Sequence, residues 1–417
     1  MTKAMVSRRT LLQSAVAAPL VIRGSVLGLN GATPPSDRIV MSGLGIGRRG
    51  SDVLKSFLSN ADVQFVAVCD VRAERREAVK KMADDNYGNQ DCRTYRDMHE
   101  LLARGDFDAV LIATGDRWHS LASILAAKAG KEIYCEKPCS ITLAESRALS
   151  DTVHRYKRVY QAGTQRRYIE NFVHAIELAQ TGKLGKLQTV HANTQKPPTV
   201  HNWLPAEPEP NIEVVDWNRW LGPCPWRPFA SAYIQGRWRG YFDFHGGGIL
   251  EWGAHTVDLC QSANQADQTA PVEYEPQGTE VHCRYSNGVK LVMRDTGWMP
   301  GLGTCAVRFE GDTGWVETAD TGKMELSDNL KSEFRLVTEK GTDPARNVRG
   351  FLDCVKSRQL TRSNAQAAAQ THIACHAAYI AWQLGRKLNF DPSKDEFVGD
   401  EEANRMRARA MREPWRI

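Results

Sequence analysis

Along the first third of the chain, short apolar runs alternate with longer segments of mixed apolar and polar positions. The short runs predict buried strands at 39–43, 63–69, 108–113 and 132–135. The segments between them have the composition of helices, as at 121–129, which is rich in alanine and is followed by Gly130. Strands that alternate with helices predict a parallel, doubly wound sheet, and we place this α/β domain at residues 36–162.

From about residue 163 a different pattern begins, in which strand-like segments follow one another along the chain. They lie at 187–194, 280–285, 289–295, 305–310 and 314–317, with the turn residues Ser286-Asn287-Gly288 between two of them. We expect residues 163–340 to form an α+β domain with a large, mostly antiparallel open sheet that carries helices on one face. Helical patterns at 348–357 and 365–384 predict that residues 341–417 pack back on the first domain as helices.

A glycine-rich turn follows the first predicted strand, and an acidic residue ends the second. The segment Gly45-Ile46-Gly47-Arg48-Arg49-Gly50 has glycines that allow close approach to a pyrophosphate, and the helix after it would point free N–H groups at the phosphates. Asp70 would accept hydrogen bonds from the adenosine ribose. This order predicts a dinucleotide-binding Rossmann domain. The first glycine of the motif can be Gly43 or Gly45, because Gly43-Leu44-Gly45 also fits the turn.

Asp70 also bears on which dinucleotide binds. Its carboxylate would repel the 2′-phosphate of NADP, and it therefore favours NAD. Arg72, Arg75 and Arg76 follow closely and weaken this preference. We expect NAD, with NADP as the second choice.

Residues 1–35 resemble a twin-arginine export signal. Ser7-Arg8-Arg9 precede a mostly apolar stretch at 11–22 that is too short to span a bilayer. The resemblance implies that the folded chain is exported through the twin-arginine machinery to the periplasm or another extracytoplasmic space, with no transmembrane segment in the mature protein. Because no free NAD pool is expected there, we expect the nucleotide to be tightly bound.

Composition narrows the class of protein. The 417 residues are 42% hydrophobic, which suits two domains with sizeable cores. The net charge of +5 comes without a basic block interleaved with aromatic residues, so a nucleic-acid partner is not expected. The ten cysteines are dispersed, Cys135 and Cys139 being the closest pair, and His372 and His376 lack acidic neighbours. We therefore expect buried thiols, a structural histidine pair and no metal site.

Glu136-Lys137-Pro138 directly follows the fourth predicted strand, at the edge of the sheet where ligands bind in open α/β folds. Proline restricts the residue before it to an extended backbone, which would aim the Lys137 ammonium. A lysine near a nicotinamide can hold a substrate hydroxyl or its developing oxyanion. The residues alone fit either this role or that of a surface lysine.

A second candidate segment runs from Gly246 to Asp258. If it is helical after its glycines, Glu251, His255 and Asp258 lie on one face. A carboxylate one turn away would stabilise the imidazolium and orient the ring, as suits a proton acceptor for an alcohol.

Aromatic residues are concentrated between these features and the second sheet. Their rings suit either the apolar faces of sugars or the anchoring of a long loop over 197–228, and the sequence leaves both interpretations open. They are Trp203, Trp217, Trp220, Trp226, Trp238, Trp252, Tyr233 and Tyr241. Arg166, Arg167 and Arg237 offer a further alternative, an acidic sugar as ligand.

Together these motifs, with Thr114-Gly115-Asp116-Arg117-Trp118-His119 and Gly163-Thr164-Gln165-Arg166-Arg167, resemble the glucose-fructose oxidoreductase and inositol dehydrogenase (Gfo/Idh/MocA) family over nearly all of residues 36–417. The resemblance implies that Lys137 and His255 are a catalytic pair with Glu251 as their partner. It also implies a homodimer or homotetramer. Two departures stand out: the family commonly has Asp at the position of Glu251, and Pro and His at the positions of Gly115 and Arg117.

The motifs and the resemblance together give a full set of expected site residues. The nucleotide-binding set is Gly43, Gly45, Ile46, Gly47, Asp70, Val71, Thr114, Trp118, His119, Glu136, Lys137 and Gln165. The expected substrate contacts are Arg166, Trp238, Trp252 and Asp258.

The leading hypothesis is an NAD(P)-dependent oxidoreductase acting on a CH–OH group of a sugar, polyol or sugar derivative. One alternative is a redox-neutral glycosidase that uses transient oxidation and elimination, outside the usual two-carboxylate scheme. A third hypothesis, from a different class, is a sugar-binding protein that contains the nucleotide and does not turn over.

Overall fold

The computed structural model describes residues 34–195, 200–295 and 301–417. The expected export segment at 1–35 lies almost entirely outside these residues, so the export hypothesis stays a prediction. No helix in the described ranges combines the length and the apolar character that a membrane span requires.

The first domain is built on a six-stranded parallel sheet in the order β3-β2-β1-β4-β5-β6. Its strands are β1 Ile39–Leu44, β2 Val63–Cys69, β3 Arg93–Tyr95, β4 Ala109–Ile112, β5 Glu132–Cys135 and β6 Tyr160–Ala162. Five helices connect them: α1 Arg48–Leu58, α2 Ala73–Tyr87, α3 Met98–Leu102, α4 Asp116–Lys128 and α5 Leu143–Arg155. The doubly wound parallel sheet is confirmed. Helix α4 begins five residues earlier than its alanine-rich part at 121–129 suggests.

The second domain contains a nine-stranded sheet in the order β13-β12-β11-β7-β10-β9-β8-β14-β15. Its strands are β7 Leu187–Asn193, β8 Glu273–Gln277, β9 Glu280–Arg284, β10 Lys290–Arg294, β11 Val307–Gly311, β12 Trp315–Thr318, β13 Met324–Leu326, β14 Leu388–Asp391 and β15 Glu396–Phe397. Strands β7 and β10 pair in parallel and the other neighbours pair antiparallel. The expected mostly antiparallel sheet is confirmed.

Six helices accompany this sheet or link it to the first domain: α6 Glu170–Gln180, α7 Trp217–Leu221, α8 Gly247–Ala263, α9 Ala345–Ser357, α10 Ala365–Leu384 and α11 Glu401–Arg405. Helix α9 packs on the first domain, where Phe351 meets the rings of Phe57 and Tyr134 edge-on. Helix α10 lies between the domains, against both α5 and α8. Beyond these helices, the last part of the chain also adds β14 and β15 to the second sheet.

All ten cysteines are free thiols, and nine of them are buried. His372 and His376, one turn apart on α10, are buried too and bond the main chain or side chain of residues 139 and 140. The histidine pair therefore packs α10 against the end of β5.

Candidate active site

A cavity of about 890 Å³ runs along the carboxyl edge of the parallel sheet and is closed on its other side by the second domain. Most of the predicted site residues line it: Gly45, Gly47, Asp70, Val71, Thr114, Trp118, His119, Glu136, Lys137, Gln165, Arg166, Trp238, Glu251, Trp252 and His255. Gly43, Ile46 and Asp258 do not line it. The structure thus brings both predicted halves of the site, from two domains, to one cavity.

The geometry of the glycine turn selects one frame for the motif. Gly45 has φ +63°, and a Cβ there would lie 2.3 Å from Thr114 Cγ2. Gly47 precedes α1 without a side-chain cap, and nothing lies within 4 Å of its would-be Cβ. A Cβ on Gly50 would lie 2.7 Å from that of Ala113, so this glycine lets α1 pack on β4.

The three glycines therefore have the roles that the motif requires. Gly45 makes the tight turn, Gly47 leaves room for the pyrophosphate, and Gly50 lets the helix pack closely on the strand. The alternative frame is wrong, because Gly43 lies inside β1 with its would-be Cβ 3.0 Å from Phe65. Ile46 is fully buried in the core beneath the turn.

Asp70 directly follows β2 and lines the rim of the cavity. Its Oδ1 accepts a hydrogen bond of 2.9 Å from the main-chain N–H of Arg72, and burial raises its pKa to about 6. Arg72 donates to Ile234 O at 2.6 Å, and Arg76 donates to Asp70 O at 2.7 Å. Two of the three arginines behind Asp70 are thus held by main-chain oxygens of the cavity wall.

Lys137 lies on a turn that buried histidines hold in place. The Lys137–Pro138 peptide bond is cis. The Pro138 carbonyl lies 2.6 Å from His119 Nδ1, and the Cys139 N–H donates to His372 Nε2 at 2.9 Å. Burial lowers the pKa of both His119 and His372 to about 4, so both rings are neutral near pH 7.

Behind Lys137 a chain of hydrogen bonds leads into the second domain. Lys137 Nζ lies 2.8 Å from Glu251 Oε1, and Glu251 Oε2 lies 2.9 Å from His245 Nε2. His245 Nδ1 accepts from the N–H groups of Gly240 and Gly247, so its Nε2 is the nitrogen that carries a proton and donates to Glu251. Burial raises the pKa of Glu251, but the charge of Lys137 and the bonds from His245 and Lys137 outweigh it and hold the pKa well below its usual value.

Asp116 lies beside this chain without a hydrogen bond to it, with its Oδ2 3.6 Å from His245 Nε2, and burial raises its pKa to about 6. Ligand atoms of Asp116, His245 and Glu251 all lie within 4.8 Å of one another, a spacing that would suit a metal ion. However, Glu251 already bonds the Lys137 ammonium. A metal ion would have to displace this ammonium and also the proton on His245 Nε2. The cluster therefore fits a hydrogen-bonded support for Lys137 better than a set of metal ligands.

His255 lies on α8 in the cavity wall, and the structure differs from the expected ion pair there. Glu251 turns to Lys137, and Asp258 pairs with Arg167 at 2.7 Å, so neither acid on the shared face bonds the imidazole. Burial, with the charges of Arg166 and Lys137, lowers the pKa of His255 well below its usual value. His255 is thus neutral, and its Nδ1 has no hydrogen-bond partner among the described residues. The ring is therefore in the unprotonated form that a proton acceptor needs, but it is a weaker base than a free imidazole.

The arginines proposed for an acidic sugar have carboxylate partners of their own or lie elsewhere. Arg166 lines the cavity but forms a bidentate pair with Asp320, both distances being 2.7 Å. Arg167 is paired with Asp258 and Asp267 and, like Arg237, does not line the cavity. The acidic-sugar hypothesis therefore loses its support from Arg167 and Arg237, whereas Arg166 lines the cavity with its Nη1 unpaired among the described residues.

The aromatic residues divide between both proposed roles. A buried cluster anchors the long loop, and it contains Trp217, Trp220, Tyr233, Tyr241 and Phe244. Trp238 and Trp252 line the cavity, as does the edge of the cluster at Trp220. Trp203 and Trp226 are more than half exposed, at 54% and 57%.

Sequence reasoning missed three residues of the site: His245, Asp116 and Arg117. Arg117 is buried, donates to Trp220 O at 2.8 and 2.6 Å, and lies 3.7 Å over the Trp220 ring. A Cβ on Gly115 would lie 2.4 Å from Arg117 Nη1. The two departures at 115 and 117 are therefore one feature, since the guanidinium fills the space that a side chain at 115 would need. The signal in the sequence that could have revealed Arg117 is that both departures from the family pattern fall in the same turn.

A glycine turn for a dinucleotide and a lysine–carboxylate pair in one interdomain cavity are typical of NAD-binding oxidoreductases. Residues 38–164 match the profile of the oxidoreductase family's NAD-binding Rossmann fold, and residues 200–417 match that of its C-terminal alpha/beta domain. The chain belongs to the Gfo/Idh/MocA family of oxidoreductases.

Individual relatives agree with this membership. The chain is 31% identical over 277 residues to the rhizopine catabolism protein MocA of Rhizobium meliloti, covering 66% of this chain and 76% of the relative. It is 30% identical over 182 residues to the inositol 2-dehydrogenase of Salmonella typhimurium. This match covers 43% of this chain and 53%, about half, of the length of that relative. GenD2 from gentamicin A biosynthesis, solved in complex with NAD, shares the fold with a TM-score of 0.61 and 18% identity, over 85% of this chain and 97% of that one.

Proposed function

We propose that this protein is an NAD-dependent oxidoreductase acting on a CH–OH group of a sugar or polyol, with the nucleotide held tightly. The observation that supports the proposal is that Lys137, from the first domain, and His255, from the second, both line the cavity onto which the glycine turn opens. The inositol dehydrogenases among the relatives support a polyol or sugar as substrate.

The residues present fit a dinucleotide. Gly47 leaves open space at the uncapped start of α1, where free N–H groups attract phosphate oxygens. Asp70 lies at the rim as an acceptor for ribose hydroxyls, and Glu136 lies at the end of β5 with its Oε1 3.3 Å from Arg49 Nε. When bound, NAD supplies the hydride acceptor.

The chain's own residues then manage the substrate oxygen. The Lys137 ammonium, held by Glu251, donates a hydrogen bond to that oxygen and stabilises negative charge as it develops there. The neutral imidazole of His255 accepts the hydroxyl proton. Trp238 and Trp252 offer aromatic faces to the sugar ring.

The test is to purify the full chain without added nucleotide, identify any nucleotide released on denaturation, and screen sugars and polyols for absorbance of reduced nicotinamide. Bound NAD that becomes reduced supports the proposal. Product release without net reduction would indicate the redox-neutral glycosidase instead. Thermal stabilisation by sugars with no turnover would indicate the sugar-binding protein.

Replacement of Asp70 is predicted to change the nucleotide preference. Asp70→Ser removes the carboxylate that would face a 2′-phosphate, and like charges in contact cost on the order of several kcal/mol. We expect the ratio of NADP to NAD affinity to rise by about tenfold or more, measured with nucleotide-stripped protein. Asp85→Ser, an exposed position paired with Lys81 on α2, serves as the control and should leave the ratio unchanged.

Loss of His245 is predicted to slow turnover without removing the nucleotide. In His245→Leu, which has no hydrogen-bond donor, Glu251 loses the bond that fixes its second oxygen, so Lys137 is less well aimed. Misplacement of a reacting group by about 1 Å costs on the order of a hundredfold, and we expect kcat to fall by about 10- to 100-fold with little change in KM. The matched control is His282→Leu, because His282 also lies 2.9 Å from a glutamate, Glu280, but outside the cavity. Equal kcat values for the two variants would contradict the role of His245.

A further inference from the structure

A segment late in the chain reaches back to the nucleotide end of the cavity and places a tryptophan in its wall. Trp415 is 8% exposed and lines the cavity together with Met98 and Trp118. Its ring meets that of Trp118 edge-on at 5.0 Å and stacks on His99 at 6.2 Å. The three side chains Trp415, Trp118 and Leu121 form a separate small apolar cluster.

The segment is tied down three residues earlier. The main-chain N–H of Arg412 donates to Pro223 O at 2.9 Å. Its guanidinium donates to the carbonyls of Asn218 and Gly222 at 2.8 and 3.0 Å, and to that of Cys224 at 3.3 Å. Trp415 is therefore held in place by the loop that follows α7, and its position does not depend on the aromatic contacts alone.

The indole N–H of Trp415 has no acceptor among the described residues although it is buried. By contrast, Trp118 Nε1 donates to Arg219 O at 3.0 Å, and Trp217 Nε1 donates to Arg227 O at 2.9 Å. Buried tryptophans normally find an acceptor for this group, because leaving it unpaired is unfavourable. A ligand in the cavity can supply the missing acceptor.

The position of Trp415 in the sheet indicates which part of a ligand it would meet. Asp70 follows β2, Met98 follows β3 and Trp118 follows β4, so these residues lie along the carboxyl edge of the sheet from β3 to β4. With the pyrophosphate at Gly47 and the ribose at Asp70, the adenine ring is the part that extends toward Met98 and Trp118. Its ring nitrogens are hydrogen-bond acceptors, and its faces stack on aromatic rings.

We infer that Trp415 forms a wall of the adenine subsite and that the segment 406–417 thereby retains the nucleotide. The inference rests on the proposed function, since it requires an adenine dinucleotide in this cavity. It assigns a binding role to a residue outside both the glycine motif and the catalytic cluster.

The test compares Trp415→Ala and Trp415→Phe with the unsubstituted full chain. Loss of the indole removes both the wall and the N–H donor and should weaken adenine binding by about tenfold, so Trp415→Ala should release NAD faster and purify with less of it. Trp415→Phe retains ring packing and loses only the N–H, and it should lie between the two. Trp226→Ala, at an exposed position outside the cavity, is the matched control and should retain NAD like the unsubstituted chain.

Two ligand fragments locate the effect on stripped protein. Trp415→Ala should lower the affinity for ADP-ribose, which carries the adenine, and leave that for nicotinamide mononucleotide unchanged. If the unsubstituted chain holds NAD and Trp415→Ala or Trp415→Phe binds both fragments with unchanged affinity, the adenine assignment is wrong while the proposed function stands. If the unsubstituted chain binds neither NAD nor ADP-ribose, the proposed function itself fails. Should Trp415→Ala not fold, Trp415→Phe and Arg412→Ala provide the same comparison.

Discussion

Lys137→Met is expected to lower kcat by about a thousandfold or more while the protein still purifies with its nucleotide. Lys137 is the ammonium positioned to donate to the substrate oxygen, and Glu251 holds it at 2.8 Å. Loss of a group that stabilises developing charge or transfers a proton costs about 10²- to 10⁴-fold. The measurement is kcat for the best substrate of the sugar screen, together with the nucleotide content of the purified variant.

The matched control is Lys81→Met. Lys81 also pairs with a carboxylate, that of Asp85, at 2.7 Å, but on the exposed face of α2. Turnover by Lys137→Met at the rate of Lys81→Met would remove Lys137 from the chemistry. A loss of both activity and nucleotide would instead point to a binding role for the lysine.

Substitution of the two turn glycines is expected to separate folding from nucleotide binding. In Gly45→Ala the new methyl group meets Thr114 at 2.3 Å in a residue with φ +63°, so strain and overpacking add. We expect the free energy of unfolding to fall by about 2–5 kcal/mol. Gly47→Ala has no atom within 4 Å of the new Cβ, so stability should change little while the nucleotide loses its close approach.

Gly88→Ala isolates the backbone contribution, because Gly88 has φ +66° and open space around its would-be Cβ. It should cost about 1–2 kcal/mol and leave the nucleotide content unchanged. Thermal unfolding and nucleotide content are measured for all three variants. Full retention of NAD by Gly47→Ala would show that the phosphates bind elsewhere.

The fold was largely predictable because the strands of the two sheets have different patterns of apolar positions along the chain. Strands β3 and β6 of the first sheet were missed, since each has only three residues and shows no periodicity. In the second sheet β8, β13, β14 and β15, which have two to five residues each, were missed as well. The start of α4 was missed for another reason. Asp116, Arg117 and His119 are polar yet buried, the latter two with hydrogen bonds to main-chain carbonyls, and a pattern that equates burial with apolar character does not register them.

The candidate site was predictable where a motif fixes the residue and not where a tertiary contact does. Lys137 and Glu251 were identified from their segments, but the partner of Glu251 was not. Its second oxygen meets His245, whose tautomer is set by main-chain N–H groups of Gly240 and Gly247. The longer side chain of glutamate, relative to the aspartate common in the family, lets one carboxylate reach both Lys137 and His245.

The close fit of Arg117 against Gly115 limits how this turn can be altered. A proline at 115, as is common in the family, would bring its Cβ to 2.4 Å from the present position of Arg117 Nη1, which is too close for both atoms. Changing 117 alone would empty the space over the Trp220 ring and leave Trp220 O without its two donors. Any route between the two versions of the turn, by evolution or by engineering, therefore passes through an unfavourable single change unless both positions are exchanged at once.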